Sequence, residues 1–183
     1  MAKLILGPSG AGKSTFINTS LLKTENLIFG HELEDKKFEF LKFWKKNKKI
    51  TKESIVHYNI LNSLTKSNNN QDVKKVLEND KILKKILNYN SLFEEVIVIV
   101  APIKELISRA ISRENVENNM KDKYDNEFWF NLIKKTNFYD LYNELFIILD
   151  NYKINYKILY SSLNNFKLTQ KSNIKKNLDG IYE

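Results

Sequence analysis

Cysteine is absent from this 183-residue sequence, and glycine, proline and methionine are scarce, at five, two and two residues. The lack of cysteine excludes disulfides, thiolate metal sites and a cysteine nucleophile, and it agrees with a reducing compartment. The longest apolar run, residues 96–101, is too short to span a membrane. The longest apolar run ahead of the first glycine is residues 4–6, which does not fit a signal peptide. We therefore expect a cytoplasmic protein without a membrane segment.

Arginine is also scarce, because only Arg109 and Arg113 contribute to the thirty basic residues. Lysine, asparagine, isoleucine, phenylalanine and tyrosine are abundant instead, a bias that an AT-rich genome would produce. The net charge of +8 and the pI of about 9.4 are compatible with nucleic-acid binding. Acidic residues interleave with many of the lysines, however, so we favour solvated surface lysine over a nucleic-acid interface. The two arginines then become the more informative cations.

Length and composition predict a single domain over residues 1–183. A chain of this size with 42% hydrophobic residues can bury a sizeable core. Residues 114–126 are polar and poor in apolar side chains, which favours a mobile lid. The basic stretch from about residue 167 is expected to be a loosely held tail.

Residues 7–15 match the phosphate-binding motif G-x-x-x-x-G-K-[ST] without a mismatch, and we call them the P-loop. An apolar run at residues 3–6 precedes the P-loop and a helical pattern follows it, as the motif requires. Glycines let consecutive N–H groups point into one concavity, where phosphates bind. Lys13 would reach the β- and γ-phosphates of ATP, and the Ser14 hydroxyl would ligate Mg²⁺. The predicted nucleotide-binding residues are Gly7, Ser9, Gly10, Ala11, Gly12, Lys13, Ser14 and Thr15.

Short apolar runs at residues 3–6, 26–29, 53–58, 96–100 and 156–160 alternate with helical patterns. The longest helical patterns lie at residues 36–47, 72–89 and 138–149, and Pro102 opens the helix that carries the two arginines. This alternation predicts a three-layer α/β fold with a parallel sheet of about five strands and helices on both faces. Ligands then bind at the carboxyl ends of the strands, which is where the P-loop lies.

In this layout the chain resembles the nucleoside monophosphate kinase-like branch of P-loop proteins, which includes adenylate, shikimate, gluconate and adenylylsulfate kinases. The D-x-x-G and N-K-x-D motifs of GTPases are absent, as are L-S-G-G-Q of ABC ATPases and the arginine-rich segment of guanylate kinase. In the resembled group a strand, a proline and a helix with two arginines lead into the lid. The resemblance implies that Arg109 and Arg113, with Lys13, stabilise charge on the transferring phosphoryl group.

Acceptor-side residues are expected where the second and third strands end. The resemblance implies a carboxylate there as general base, and Glu32 is our first choice, with Asp35 next. A solvent-facing acidic cluster is an equally open interpretation of these acids. His31 is counted with the acceptor site, as are His57, Tyr58 and Asn59, although a lone histidine is more often structural. The strand at residues 96–100 ends in Ala101-Pro102, so the acid that often helps to hold Mg²⁺ is missing there.

The sequence thus predicts an ATP- and Mg²⁺-dependent kinase acting on a hydroxyl or phosphate of a nucleotide, nucleotide conjugate or sugar. The expected partner is this small-molecule acceptor, and the sequence is compatible with a homodimer. The alternative is a nucleotide-dependent regulatory or binding module that contacts nucleic acid or an acidic partner through its lysines. Acceptor-dependent release of ADP separates the two.

Overall fold

The fold is described from a computed structural model, which covers residues 2–20, 26–33, 49–66, 72–112, 126–163 and 165–181. Four of the sequence predictions lie outside these residues. They are the helix at 36–47, the acid Asp35, the arginine Arg113 and nearly all of the lid at 114–126.

Six strands form one sheet with the order β2-β3-β1-β4-β5-β6. All pairs among the first five strands are parallel, and β6 runs antiparallel to β5. Each of the five predicted strands is present, and together with helices on both faces they make the three-layer α/β arrangement. The strands are β1 (Ala2–Gly7), β2 (Leu27–Phe29), β3 (Ile55–Asn59), β4 (Phe93–Val100), β5 (Lys157–Ser162) and β6 (Asn165–Thr169).

Seven α-helices and four short 3₁₀ segments lie in the described part of the chain. The helices are α1 (Lys13–Thr19), α2 (Val73–Glu78), α3 (Lys81–Leu87), α4 (Ile103–Ser112), α5 (Asn126–Lys135), α6 (Phe138–Asn151) and α7 (Ile174–Asp179). The 3₁₀ segments are Gly30–Leu33, Ile60–Lys66, Asn90–Leu92 and Lys171–Asn173. Among the described residues, no helix is long and apolar enough to cross a bilayer.

The prediction of a single helix over residues 72–89 is wrong. The structure has two helices, α2 and α3, which are separated by Asn79 and Asp80. The Asp80 carboxylate accepts hydrogen bonds from the backbone N–H groups of Ile82 at 2.9 Å and Leu83 at 3.0 Å. These bonds cap a new helix start, which competes with continuation of the first helix. Asp80 also accepts from the hydroxyls of Tyr58 and Ser63, so the break fastens α3 to the end of β3.

The expectation of a loosely held tail from residue 167 does not agree with the structure. Residues 165–169 form β6, and α7 follows with Ile174 and Leu178 buried in the core. The Asn177 side chain is also buried and donates to Thr169 Oγ1 at 2.8 Å, which fastens α7 to β6. Lysines hide this pattern in the sequence, because they occupy the solvent-facing positions between the few apolar residues that pack inward.

The core is built around β1 and β4 at the centre of the sheet. Both strands are almost fully buried along their apolar stretches, as parallel strands with helices on both faces must be. On one side, α6 packs Tyr142 into this core, where its hydroxyl donates to the Ile99 carbonyl at 2.8 Å. Burial raises the pKa of Tyr142 well above its ordinary value, so the phenol stays a neutral donor. Ile99 in turn lies beside the P-loop, so the core supports the candidate site directly.

Candidate nucleotide-binding site

The P-loop joins β1 to α1 with a backbone that only glycine adopts readily. Gly10 and Gly12 have positive φ angles of 83° and 90°. Inside the loop, Ala11 N–H donates to the Pro8 carbonyl at 3.2 Å, and Phe16 N–H donates to the Gly12 carbonyl at 2.8 Å. The loop therefore folds into a defined turn that leads straight into the helix, as the motif predicts.

Three elements close around the P-loop and leave little room for a side chain at Gly7 and Gly12. A Cβ atom on Gly7 would lie 2.8 Å from the Ile99 carbonyl oxygen of β4, and one on Gly10 would lie 3.4 Å from the Leu106 carbonyl oxygen of α4. A Cβ on Gly12 would come 3.0 Å from Ser161 Oγ and 3.4 Å from the Phe166 ring. The P-loop thus rests on β4, α4 and the β5–β6 hairpin.

The β5–β6 hairpin adds an aromatic contact and a buried hydroxyl to the P-loop. Phe166 meets Phe16 of α1 edge to face, with 5.2 Å between the ring centroids. Ser161 Oγ is fully buried, and within the described residues it is the one buried side-chain polar atom without a hydrogen-bond partner. Neither residue is predictable from the sequence as part of the site, because only the fold brings positions 161 and 166 to a loop that begins at position 7.

Lys13 is buried, with 4% of its surface exposed, and its ammonium group folds back on its own loop. Nζ donates to the carbonyls of Gly7 at 2.8 Å and Pro8 at 2.6 Å. A lysine that holds carbonyls in this way places its positive charge inside the P-loop, beside the N–H groups that would meet phosphate. Ser14, the next residue, is exposed at the surface of the first helical turn.

Arg109 lies on α4 and reaches the P-loop as well. Its Nη1 donates to the Gly10 carbonyl at 2.8 Å, and its Nη2 forms an ion pair with Glu105 one helical turn earlier. The sequence analysis singled out Arg109 because arginine is rare, and the structure brings it to the predicted loop. Glu105 was not singled out, although its i, i+4 spacing from Arg109 is visible in the sequence.

Glu105 also contacts the turn between β5 and β6. Ser162 Oγ donates to Glu105 Oε1 at 2.6 Å, and the Leu163 N–H donates to Glu105 Oε2 at 3.3 Å. This carboxylate therefore joins α4, the arginine and the hairpin.

Two of the residues predicted for an acceptor site, His57 and Asn59, lie near the end of β3. The parallel register places Asn59 opposite Gly7 and His57 opposite both Ile5 and Phe29. Asn59 Oδ1 accepts from the Leu61 N–H at 3.1 Å and its Nδ2 donates to Asn62 Oδ1 at 3.0 Å, so this side chain also shapes the following turn. His57 packs edge to face on Phe29, with 5.1 Å between the ring centroids.

The side chain of Tyr58 does not lie with those of His57 and Asn59, which corrects the prediction that it belongs to an acceptor site. It is fully buried on the opposite face of β3 from His57 and Asn59, and its hydroxyl donates to Asp80. A Cβ on Gly30 would lie only 2.4 Å from the Tyr58 ring, so the ring is enclosed by the turn after β2. The alternation of side chains along a strand explains the separation from its neighbours.

Glu32 lies in the 3₁₀ turn that follows β2, where its Oε2 accepts from the Phe29 N–H at 2.7 Å. The carboxylate therefore closes the turn at the end of its own strand and is partly exposed there. The backbone of His31 belongs to the same turn. The strand end thus carries a held carboxylate beside the predicted acceptor site.

Within the described residues there is no group of three or more histidine, aspartate or glutamate side chains that could hold a metal ion. Mg²⁺ differs from most protein-bound metals, because one or two protein oxygens with phosphates and water are sufficient for it. The exposed hydroxyl of Ser14 in the P-loop is a donor of this kind. The residues present therefore fit Mg²⁺ that is bound to a nucleotide.

The strand order, the conformation of the loop and the helix that follows it define a three-layer α/β P-loop fold. No protein-family model matches the chain, and no curated protein matches it.

Among solved structures, the chain has a distant likeness to a deoxyadenosine kinase from M. mycoides with bound dATP. The alignment covers 99% of this chain and 96% of that one, with 18% identity and a TM-score of 0.37. A score this low transfers nothing from that enzyme to this chain.

Proposed function

We propose that this protein is a kinase that transfers the γ-phosphoryl group of ATP to a small-molecule acceptor. The observation that carries the proposal is the convergence of two buried or half-buried cations on one full P-loop. Lys13 donates to the carbonyls of Gly7 and Pro8, and Arg109 donates to the carbonyl of Gly10. Positive charge that is held in place before the reaction is the main means by which proteins stabilise phosphoryl transfer.

The residues divide into roles that their positions support. The loop N–H groups and Lys13 would bind the β- and γ-phosphates, and the Ser14 hydroxyl would hold Mg²⁺ that is bound to them. Mg²⁺ would offset the charge of the phosphate oxygens. Arg109 would meet charge that develops on the γ-phosphoryl group, and Arg113, outside the described residues, is proposed for the same role.

The acceptor would bind across the ends of β2 and β3. His57 and Asn59 offer hydrogen-bonding groups on the face of the sheet edge beside Gly7, and Glu32 offers a carboxylate in the next turn. These groups suit a polar molecule with a hydroxyl or phosphate, such as a nucleotide, a nucleotide conjugate or a sugar. Glu32 is proposed as the base that takes the proton of the acceptor hydroxyl. For this its carboxylate would exchange the hydrogen bond with the Phe29 N–H for one with the acceptor.

The test is acceptor-dependent release of ADP. Purified protein is incubated with MgATP and a panel of nucleosides, nucleotides and sugars, and ADP is measured with and without each compound. The proposal expects at least one compound to raise ADP release and to gain a phosphate by mass spectrometry, and Lys13→Met to abolish both signals. ATP binding without any acceptor-stimulated release across a broad metabolite extract would instead favour a regulatory nucleotide-binding module.

A further inference from the structure

One carboxylate connects the P-loop with two distant parts of the chain. Glu105 pairs with Arg109, and it accepts hydrogen bonds from Ser162 and Leu163 at the turn of the β5–β6 hairpin. Arg109 in turn donates a hydrogen bond to the Gly10 carbonyl of the P-loop at 2.8 Å. Both side chains are largely shielded from water, with exposed fractions of 21% for Glu105 and 24% for Arg109.

The orientation of Arg109 depends on this carboxylate. A free arginine side chain loses rotamer entropy when it is held at one place. Here one nitrogen of the guanidinium is held by Glu105 and another by the P-loop, so the planar group is fixed at two points. The hairpin contacts hold the carboxylate in turn, because its two oxygens accept from Ser162 and Leu163.

These contacts also hold the backbone of the P-loop in place. The peptide that joins Gly10 to Ala11 carries the carbonyl that Arg109 binds, and its N–H donates to the Pro8 carbonyl at 3.2 Å. Both polar groups of this peptide are therefore held, one from α4 and one from within the loop. The hairpin contacts Gly12 as well, so a test of Glu105 must leave the contacts of its side chain with the hairpin in place.

We propose that Glu105 is a positioning residue, which acts through Arg109 to preorganise both the arginine and the P-loop for the triphosphate. The inference rests on the proposed kinase function for the role of Arg109 in the reaction. Its part in nucleotide binding stands independently of that function.

The test is a double-mutant cycle between Glu105 and Arg109. Glu105→Gln keeps the length of the side chain and an oxygen that can accept from the hairpin, and it removes the charge that holds the guanidinium. We expect kcat to fall by about tenfold and the Kd for MgATP to rise by roughly threefold in this variant. In a background that already carries Arg109→Ala, Glu105→Gln should cause no further loss in either quantity.

Glu95→Gln is the matched control. Glu95 is also a carboxylate with two partners, Lys3 at 2.9 Å and Lys157 at 2.8 Å, and its exposed fraction of 23% is similar. It lies at the opposite end of the sheet from the P-loop, where it pairs in register with Lys3. Glu95→Gln should therefore leave kcat and the Kd for MgATP unchanged.

Two readouts keep the inference separate from the proposed function. ATP affinity is measured by titration calorimetry, which needs no acceptor, and kcat is measured from ADP release. If the wild type binds MgATP but no acceptor raises ADP release, the kinase proposal fails while the cycle is still read from Kd. Equal losses from Glu105→Gln with and without Arg109 would overturn the positioning role, and so would an unchanged Kd and kcat in the single variant.

Discussion

Among individual residues, Lys13 contributes both packing and positive charge to the P-loop. Its stem is buried and its ammonium group joins two carbonyls of the loop, so the side chain has a packing role besides its charge. Truncation to alanine would remove both. Methionine keeps most of the volume and therefore isolates the loss of charge.

We predict that Lys13→Met abolishes phosphoryl transfer, with kcat lower by about 10³-fold or more, because Lys13 supplies the buried positive charge inside the loop. The melting temperature should stay within a few degrees of the wild type. Lys104→Met, which removes an exposed lysine on α4, is the control and should keep full activity. Normal turnover of Lys13→Met would contradict a role for this P-loop in catalysis.

Arg109→Ala is predicted to lower kcat by about 10²-fold and to raise the KM for ATP much less, as expected for a contact that strengthens in the transition state. Arg109→Lys should recover only part of the loss, because an ammonium group cannot bind Glu105 and Gly10 at the same time with a planar fork. Initial rates at saturating and limiting ATP give both constants. An Arg109→Ala/Arg113→Ala variant with full activity would show that neither arginine takes part.

Among the structural elements, the β5–β6 hairpin and α7 are the part of the fold that differs most from the sequence prediction. The five parallel strands were predictable, because each is a short apolar run between helical patterns. The hairpin was not, because β6 alternates polar and apolar residues over only five positions and includes an exposed Leu168. Its identity as a strand depends on pairing with β5, which short-range patterns cannot show.

The residues of the candidate site also differ in how far they can be predicted from the sequence. Gly12, Lys13 and Ser14 follow from a local motif, and Arg109 follows from its rarity and its position on a helix. Ser161 and Phe166 reach the P-loop through tertiary contacts with residues far away in the sequence, so no local pattern marks them. Glu105 is marked only by its spacing from Arg109, which does not show its contacts with the hairpin. The prediction for Tyr58 overlooked the alternation of side chains along a strand, which places Tyr58 on the opposite face from His57 and Asn59.

Ile174→Ala tests whether α7 belongs to the core. The Ile174 side chain is fully buried, and removal of such a group leaves a cavity. We expect the free energy of unfolding to fall by about 3 kcal/mol, which urea denaturation monitored by circular dichroism would measure. Ile181→Ala is the control, because Ile181 is 57% exposed and its loss should cost under about 0.5 kcal/mol. Equal, small effects of both changes would mean that α7 is held weakly.

For the whole molecule, we interpret the net charge of +8 as solvated surface lysine. We predict weak binding to single-stranded and duplex nucleic acid that fades as salt rises to physiological strength, because such contacts act through counterion release. Fluorescence anisotropy over a salt series provides the measurement. Sub-micromolar binding at physiological salt with a shallow salt slope would instead support a nucleic-acid partner.

Glu95, at the end of the sheet away from the P-loop, should make the free energy of unfolding depend on pH. Hydrogen bonds from Lys157 and Lys3 hold the pKa of Glu95 below its ordinary value of 4.5. The unfolded chain then binds a proton more readily than the folded protein, so the contribution of Glu95 is full above pH 4.5 and is lost as the pH falls below it. Glu95→Gln should cost about 0.5 kcal/mol at pH 7, since such partly exposed pairs contribute little. This difference from the wild type should shrink in urea titrations below pH 4.5, and a constant difference down to pH 3 would contradict the assignment.

The contacts of Phe166 with Gly12 and Phe16 have a consequence for synthesis of the protein. The ribosome makes the P-loop before the hairpin, so the loop lacks its aromatic and hairpin support until residue 166 has emerged. A nascent chain that stops within α6 therefore holds the whole phosphate-binding motif together with β4 and α4, but without the hairpin that contacts Gly12 and Phe16. Nucleotide capture by the growing chain would then report that translation has passed the hairpin.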